Sequence, residues 1–240
     1  MHRYALLSLA LAACVPDSGD EGILILKNVA PGPDCTVTAE ESEPGITHGE
    51  LSSAIPTQYA FIAQMKSRIT ALESQLDQRT VFISGANVDL TFPDSTFFTE
   101  AEQATMRTQG ITRFRSLFAA TITPNGGITD AGFDVTTRGL YDAIYAKAPS
   151  AMVIGGDPYF SLEVVATITV TGTMSGDEVT SQPYAFPIRI ANDSLISVVG
   201  VCPVPSGTEI SLGNNCGRPQ DALITCCSSG DTVMCPPTVE

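Results

Sequence analysis

The sequence predicts a mostly β protein: an antiparallel two-sheet β-sandwich with one or two short helices and a disulfide-rich C-terminal tail. Three observations lead there. About eight short runs alternate apolar and polar residues, turn-forming Gly, Pro, Asn and Asp separate them, and five of the seven cysteines lie beyond residue 201. With 240 residues and 43% apolar composition, the chain can bury one sizeable core and is short for two.

The first strand is the apolar run Ile23-Leu24-Ile25-Leu26. A loop rich in Pro, Gly and acidic residues follows to about residue 55 and holds Cys35 and His48. From Tyr59 two periods compete. Tyr59, Phe61, Ala63 and Met65 alternate as in a strand, whereas Ile62, Met65, Ile69, Leu72 and Leu76 repeat at helical spacing, so a strand to about residue 68 and then a helix or loop is expected. Residues 80–92 read as a strand with Phe82, Ala86, Val88, Leu90 and Phe92 on one face and Asn87, Asp89 and Thr91 on the other.

Thr99 with Glu102 has the form of a capping box, and Gly110 is placed to stop the short helix that it opens. Phe114, Phe118, Ala120 and Ile122 mark another strand, ended by Pro124-Asn125-Gly126-Gly127. After a strand around Phe133 and Val135, the pairs Leu140/Ile144 and Tyr141/Tyr145 fit one or two helical turns. A long hairpin begins near Tyr159. Leu162, Val164, Ala166, Ile168 and Val170 alternate with Glu163, Thr167, Thr169 and Thr171. Ser175-Gly176-Asp177-Glu178 makes its turn, and Tyr184, Phe186, Ile188 and Ile190 form one face of the return strand. Pro183 and Pro187 lack the ladder donor and mark that strand as an edge or a bulged one. Leu195–Val201 supplies the last strand before the tail.

The N-terminus has a basic n-region at Arg3, an apolar run from Tyr4 to Ala13, and small residues before Cys14. The run is too short to span a bilayer, which takes roughly 20 residues. It resembles a bacterial lipoprotein signal, in which the cysteine is acylated and becomes the first mature residue; an ordinary cleaved signal and an apolar cytosolic N-terminus are the alternatives. The resemblance implies residues 1–13 as signal peptide, Cys14 as the lipidation site, 14–22 as lipidated cysteine and flexible tether, and 23–240 as a single domain with its Cys-rich tail at 202–240. Two or three acyl chains, at about 0.8 kcal/mol per buried CH₂, make such an anchor stable. Val15, where enteric-type retention signals carry Asp, implies the outer membrane.

Setting Cys14 aside leaves Cys35, Cys202, Cys216, Cys226, Cys227 and Cys235, an even number suited to an oxidising compartment. Six cysteines allow 15 pairings; excluding a strained bond between the neighbours Cys226 and Cys227 removes three and leaves 12. Five tail cysteines cannot pair among themselves, so full oxidation requires Cys35 to reach the tail. No CxxC spacing suggests a metal or redox site instead.

These features together, with the tail segments Val201-Cys202, Asn215-Cys216-Gly217-Arg218-Pro219-Gln220-Asp221 and Cys226-Cys227, resemble uncharacterised cysteine-rich lipoproteins abundant in myxobacteria. In that family the segment often reads Gly-Gln-Asp, and Pro219 stands here in the glycine place. The resemblance implies no particular activity.

The formal charge is −14, with 26 acidic against 12 basic side chains, which disfavours nucleic acid and anionic lipid as partners. Beyond the signal, His48 is the single histidine, so a triad or a metal site has little to build on; its plain reading is a solvated loop residue. Asp134, Asp142 and Asp157 are candidates for a carboxylate pair, without a spacing that singles out two. Asp17, Asp20 and Glu21, or the Gly155-Gly156-Asp157 turn, offer oxygens for calcium without matching an EF-hand. No phosphate loop is present, and the absence of Trp disfavours stacking on sugars. The expectation is a noncatalytic envelope lipoprotein, without cofactor or metal, tethered by its N-terminal lipid and serving in binding, adhesion or as an accessory subunit to an envelope partner. An exported carboxylate-dependent hydrolase and a purely structural envelope protein are the alternatives, and an exposed apolar patch or open sheet edge separates binding from pure structure.

Overall fold

A computed structural model describes residues 22–37, 42, 44–70, 79–94, 96–154, 159–230 and 232–239. The signal, Cys14, the tether through residue 21, the helix-or-loop question over 71–78, and Asp157 with its glycines lie outside these residues.

The strands are β1 (Ile23–Asn28), β2 (Gly49–Ser52), β3 (Ala60–Ser67), β4 (Val81–Thr91), β5 (Arg113–Ser116), β6 (Ala120–Ile122), β7 (Ile128–Asp134), β8 (Ser161–Met174), β9 (Asp177–Thr180), β10 (Tyr184–Ala191), β11 (Ile196–Val201), β12 (Ile224–Ser229) and β13 (Thr232–Met234). Two helices, α1 (Glu100–Thr108) and α2 (Arg138–Lys147), interrupt them. A three-stranded sheet, β1-β3-β7, faces a seven-stranded sheet, β2-β10-β8-β4-β5, with β6 added on β4 and β9 on β8. Their inner faces share one core, in which the Phe61 ring of β3 meets Phe186 of β10 at 5.1 Å and Phe133 of β7 at 5.7 Å. The mostly β sandwich with two short helices is therefore present. It carries a third sheet, β11-β12-β13, in which the last strand before the tail pairs with two strands of the tail.

Several elements differ from the sequence reading for definable reasons. β4 carries a bulge between Ile83 and Gly85, so the inward parity changes from Val81 and Ile83 to Ala86, Val88 and Leu90. Phe82 consequently points outward, 56% exposed. Glycine is required at the bulge: Gly85 has φ +152, and a Cβ there would lie 2.6 Å from the Ser116 carbonyl.

The predicted strand from Phe114 to Ile122 is two strands, β5 and β6, both paired with β4. β10 is not an edge strand: it pairs with β8 on one side and in parallel with β2 on the other. Pro187 is tolerated because β2 begins opposite Ile188, leaving one flank of the strand unpaired at the proline. β2 itself lay hidden in the expected loop. Two pairs, β2 with β10 and β11 with β12, are parallel, so the sheets are not wholly antiparallel.

The helices follow their end signals. At α1 the Thr99 side chain accepts from the Glu102 N–H while the Glu102 carboxylate accepts from the Thr99 N–H. At its other end Ile111 donates to Met106 and Gly110, at φ +73, donates to Arg107, a Schellman closure. α2 runs ten residues, longer than one or two turns, and buries Leu140, Tyr141 and Ile144 while leaving Tyr145 exposed. Its N-cap Thr137 donates to the Ile111 carbonyl, which ties the helices together.

The six cysteines form Cys35–Cys216, Cys202–Cys227 and Cys226–Cys235. Neighbours in β12 point to opposite faces, so Cys226 and Cys227 staple the small sheet from both sides, and both are fully buried. Three disulfides indicate an oxidising, extracellular type of environment. Among the described residues no helix is long and apolar enough to cross a membrane.

Candidate functional site

Tail residues 215–221 dock on the edge of the sandwich residue by residue. Cys216 is bonded to Cys35, and the Asn215 amide donates to the Pro31 carbonyl at 2.9 Å. Arg218 pairs with Asp134 at 2.9 Å. The Gln220 amide completes the end of β3, accepting from the Ala60 N–H at 2.8 Å and donating to the Ala60 carbonyl at 2.9 Å. Pro219 is the centre of a three-residue turn, with the Gln220 N–H on the Arg218 carbonyl at 2.8 Å. A φ fixed near −65° suits that turn, so glycine is not needed.

Asp221 ends the segment inside a partly buried polar cluster. Its Oδ1 accepts from the Glu50 N–H at 2.8 Å, and its Oδ2 accepts from the Tyr59 hydroxyl at 2.6 Å. That hydroxyl in turn accepts from the Asn28 amide at 3.1 Å. Burial raises the Asp221 carboxyl above its ordinary range, with the nearby Glu50 charge adding and the hydrogen bonds opposing. Burial, then the Asp221 charge, raises the Tyr59 phenol, which therefore stays a neutral donor. The partners come from strands β1 and β2 and from Tyr59 just before β3, and a sequence separation of 162 between Tyr59 and Asp221 left no local signal of the cluster.

His48 lies beside this cluster, in a cleft of about 380 Å³ with Glu50, Asn214, Asn215 and Asp221. Its Nε2 is 3.7 Å from Glu163, both side chains half exposed, and Glu50 is 3.7 Å from Arg189. The structure thus brings His48 beside the carboxylates of Glu163, Glu50 and Asp221. The predicted carboxylates are not brought together: Asp134 faces Arg218, and Asp142 faces Arg138 within α2. Asp17, Asp20, Glu21 and Asp157 lie outside the described residues, and among those described no three His, Cys, Asp or Glu side chains gather as metal ligands.

The other feature is apolar. Val198, Val199, Val201, Leu212, Leu223, Met234 and Val239 are all exposed, Val201 by 71%, and all lie in β11 or the tail that follows it. β11 has a strand partner on one flank only among the described residues, so its other flank offers an open backbone ladder. No charged side chain occurs from Ser194 to Gly207 to blunt that edge. No protein-family model matches the chain, and no curated protein matches it either.

Proposed function

We propose that this chain is a noncatalytic lipoprotein of the bacterial cell envelope, anchored through Cys14 to the outer membrane, whose tail sheet receives an extended strand of an envelope partner. The reading is carried by the open flank of β11, with valines on both faces and no charge. A partner strand would complete the ladder and cover Val198, Val199 and Val201, and an uncharged, β-branched segment fits because the rest of this acidic chain repels acidic surfaces. The disulfides on both faces of β12 support a preformed platform, which lowers the ordering cost of binding. Asp134 and Asp142, two of the carboxylates expected of a hydrolase, are each held by a guanidinium, which favours the binding reading.

The test is cross-linking in intact native envelopes, followed by pull-down of the full-length chain and of Val199→Lys. One stoichiometric partner recovered with the parent and lost with the variant is expected. Equal recovery from both, or bulk envelope protein alone, overturns the reading. Membrane release of Cys14→Ser tests the anchor separately.

A further inference from the structure

The three disulfides differ in access. In Cys202–Cys227 and Cys226–Cys235 one partner, Cys227 or Cys226, is fully buried in β12. In Cys35–Cys216 neither is, since Cys35 is exposed and Cys216 partly so. Both line a hollow of about 520 Å³ beside Ile62 of β3 and Gly132 of β7, which are paired across the three-stranded sheet. Asn214 and Arg218 line the same hollow.

Thiol–disulfide exchange requires a thiolate to reach one sulfur and the other sulfur to leave as an anion. In the tail sheet, attack on Cys202 or Cys235 would expel a thiolate into the buried surroundings of Cys227 or Cys226, where burial disfavours the charge. Attack on Cys35 from solvent instead expels Cys216 beside the polar side chains of the hollow. The backbone favours opening at the same bond: Asp34 and Cys35 hold φ 57 and 58, the left-handed region that a Cβ disfavours, and both are free to relax once the bond is gone. The docked segment does not depend on the bond alone. Asn215 keeps the Pro31 carbonyl, Arg218 keeps Asp134, Gln220 keeps Ala60, and Asp221 keeps the Glu50 N–H and the Tyr59 hydroxyl.

We propose that Cys35–Cys216 is a thiol-exchange site, a reversible latch worked by a protein dithiol, while the other two disulfides stay closed. A thiolate of the dithiol attacks Cys35 Sγ, the S–S bond breaks, and its electron pair leaves on Cys216. The second thiol of the dithiol then attacks its own partner sulfur in the mixed disulfide and releases Cys35. Two electrons and two protons pass to the two cysteines, and the dithiol ends as a disulfide. Opening frees the turn Pro33–Cys35 from the tail, and the tail loses its covalent tie to the first strand while segment 215–221 stays docked.

The experiment exposes the full-length, oxidised chain under native conditions to graded dithiothreitol, with acid quench, alkylation and peptide mass mapping. Cys35 and Cys216 should be alkylated together, roughly tenfold or more faster than the other four cysteines, with circular dichroism unchanged. With glutathione, a monothiol, the trapped adduct should sit on Cys35. Exchange into oxidised glutathione should then reclose the bond. In Cys35→Ala with Cys216→Ala, the remaining four cysteines should keep the parent's slow rate. Equal rates for the three bonds, opening only together with loss of the native signal, an adduct chiefly on Cys216, or failure to reclose overturns the proposal.

Discussion

Removing the Cys35–Cys216 bridge by Cys35→Ala with Cys216→Ala isolates the contribution of the one disulfide that ties the tail to the sandwich. The bond spans 181 residues of chain. The two tail disulfides barely shorten the covalent route, since crossing from Cys202 to Cys227 and returning to Cys216 saves little. Closing a loop of that size in the unfolded chain is worth about 5 kcal/mol by the chain-entropy relation. Against this, Asp34 and Cys35 sit at φ 57 and 58, a left-handed conformation costing roughly 1 kcal/mol at each and free to relax once the bond is gone. The expected net loss is therefore about 3 kcal/mol. Urea unfolding of the parent and the double variant, both unreduced, measures it as a shift in midpoint at comparable slope. The Arg218, Gln220 and Asp221 contacts remain in the variant, so the native signal should survive before unfolding. A midpoint shift worth less than about 0.5 kcal/mol would refute the loop-closure reasoning.

Four other substitutions probe the polar cluster and the core. Tyr59→Phe deprives Asp221 of its hydroxyl donor and Asn28 of its acceptor, and should cost about 1 to 3 kcal/mol in the same urea assay; an unchanged midpoint would mean that water replaces the hydroxyl. Because burial raises the native Asp221 carboxyl above its unfolded value, its contribution is fully present below the unfolded range and is lost as pH rises through the native value. Parent stability relative to Asp221→Asn should accordingly fall between acid and neutral pH, and a difference that rises with pH would contradict the sign. Phe82→Ser should change stability by less than about 0.5 kcal/mol, whereas Phe61→Ala should cost about 3 to 5 kcal/mol; thermal melts giving both the same cost would mean that Phe82 is buried.

The sequence was most legible where the physics is local. The capping box at Thr99, the stop at Gly110 and the long alternation from Leu162 to Val170 each state their structure within a few residues. Counting cysteines also worked across distance, because an odd number in the tail forces Cys35 there whatever the fold. The inward set at 80–92 failed at Phe82 because one inserted residue reverses every side chain before it. Pro187 misled because a strand may be interior along one half of its length and free along the other. β2 was missed since four residues, Gly49–Ser52, give too short a pattern to read. The Asp221 cluster was illegible in principle, as it depends on which strands become neighbours.

The Cys35–Cys216 bridge also determines how the molecule would transmit force. A pull between Gly22 and the tail sheet travels along the short segment to Cys35, crosses the bond, and enters the tail at Cys216. β2 through β10 lie outside that covalent path, so β1 is the one sandwich strand that takes the load. Tension on a partner held at β11 would pass the other strands through bonds rather than packing, and β2 through β10 would stay folded under loads that would otherwise unravel them.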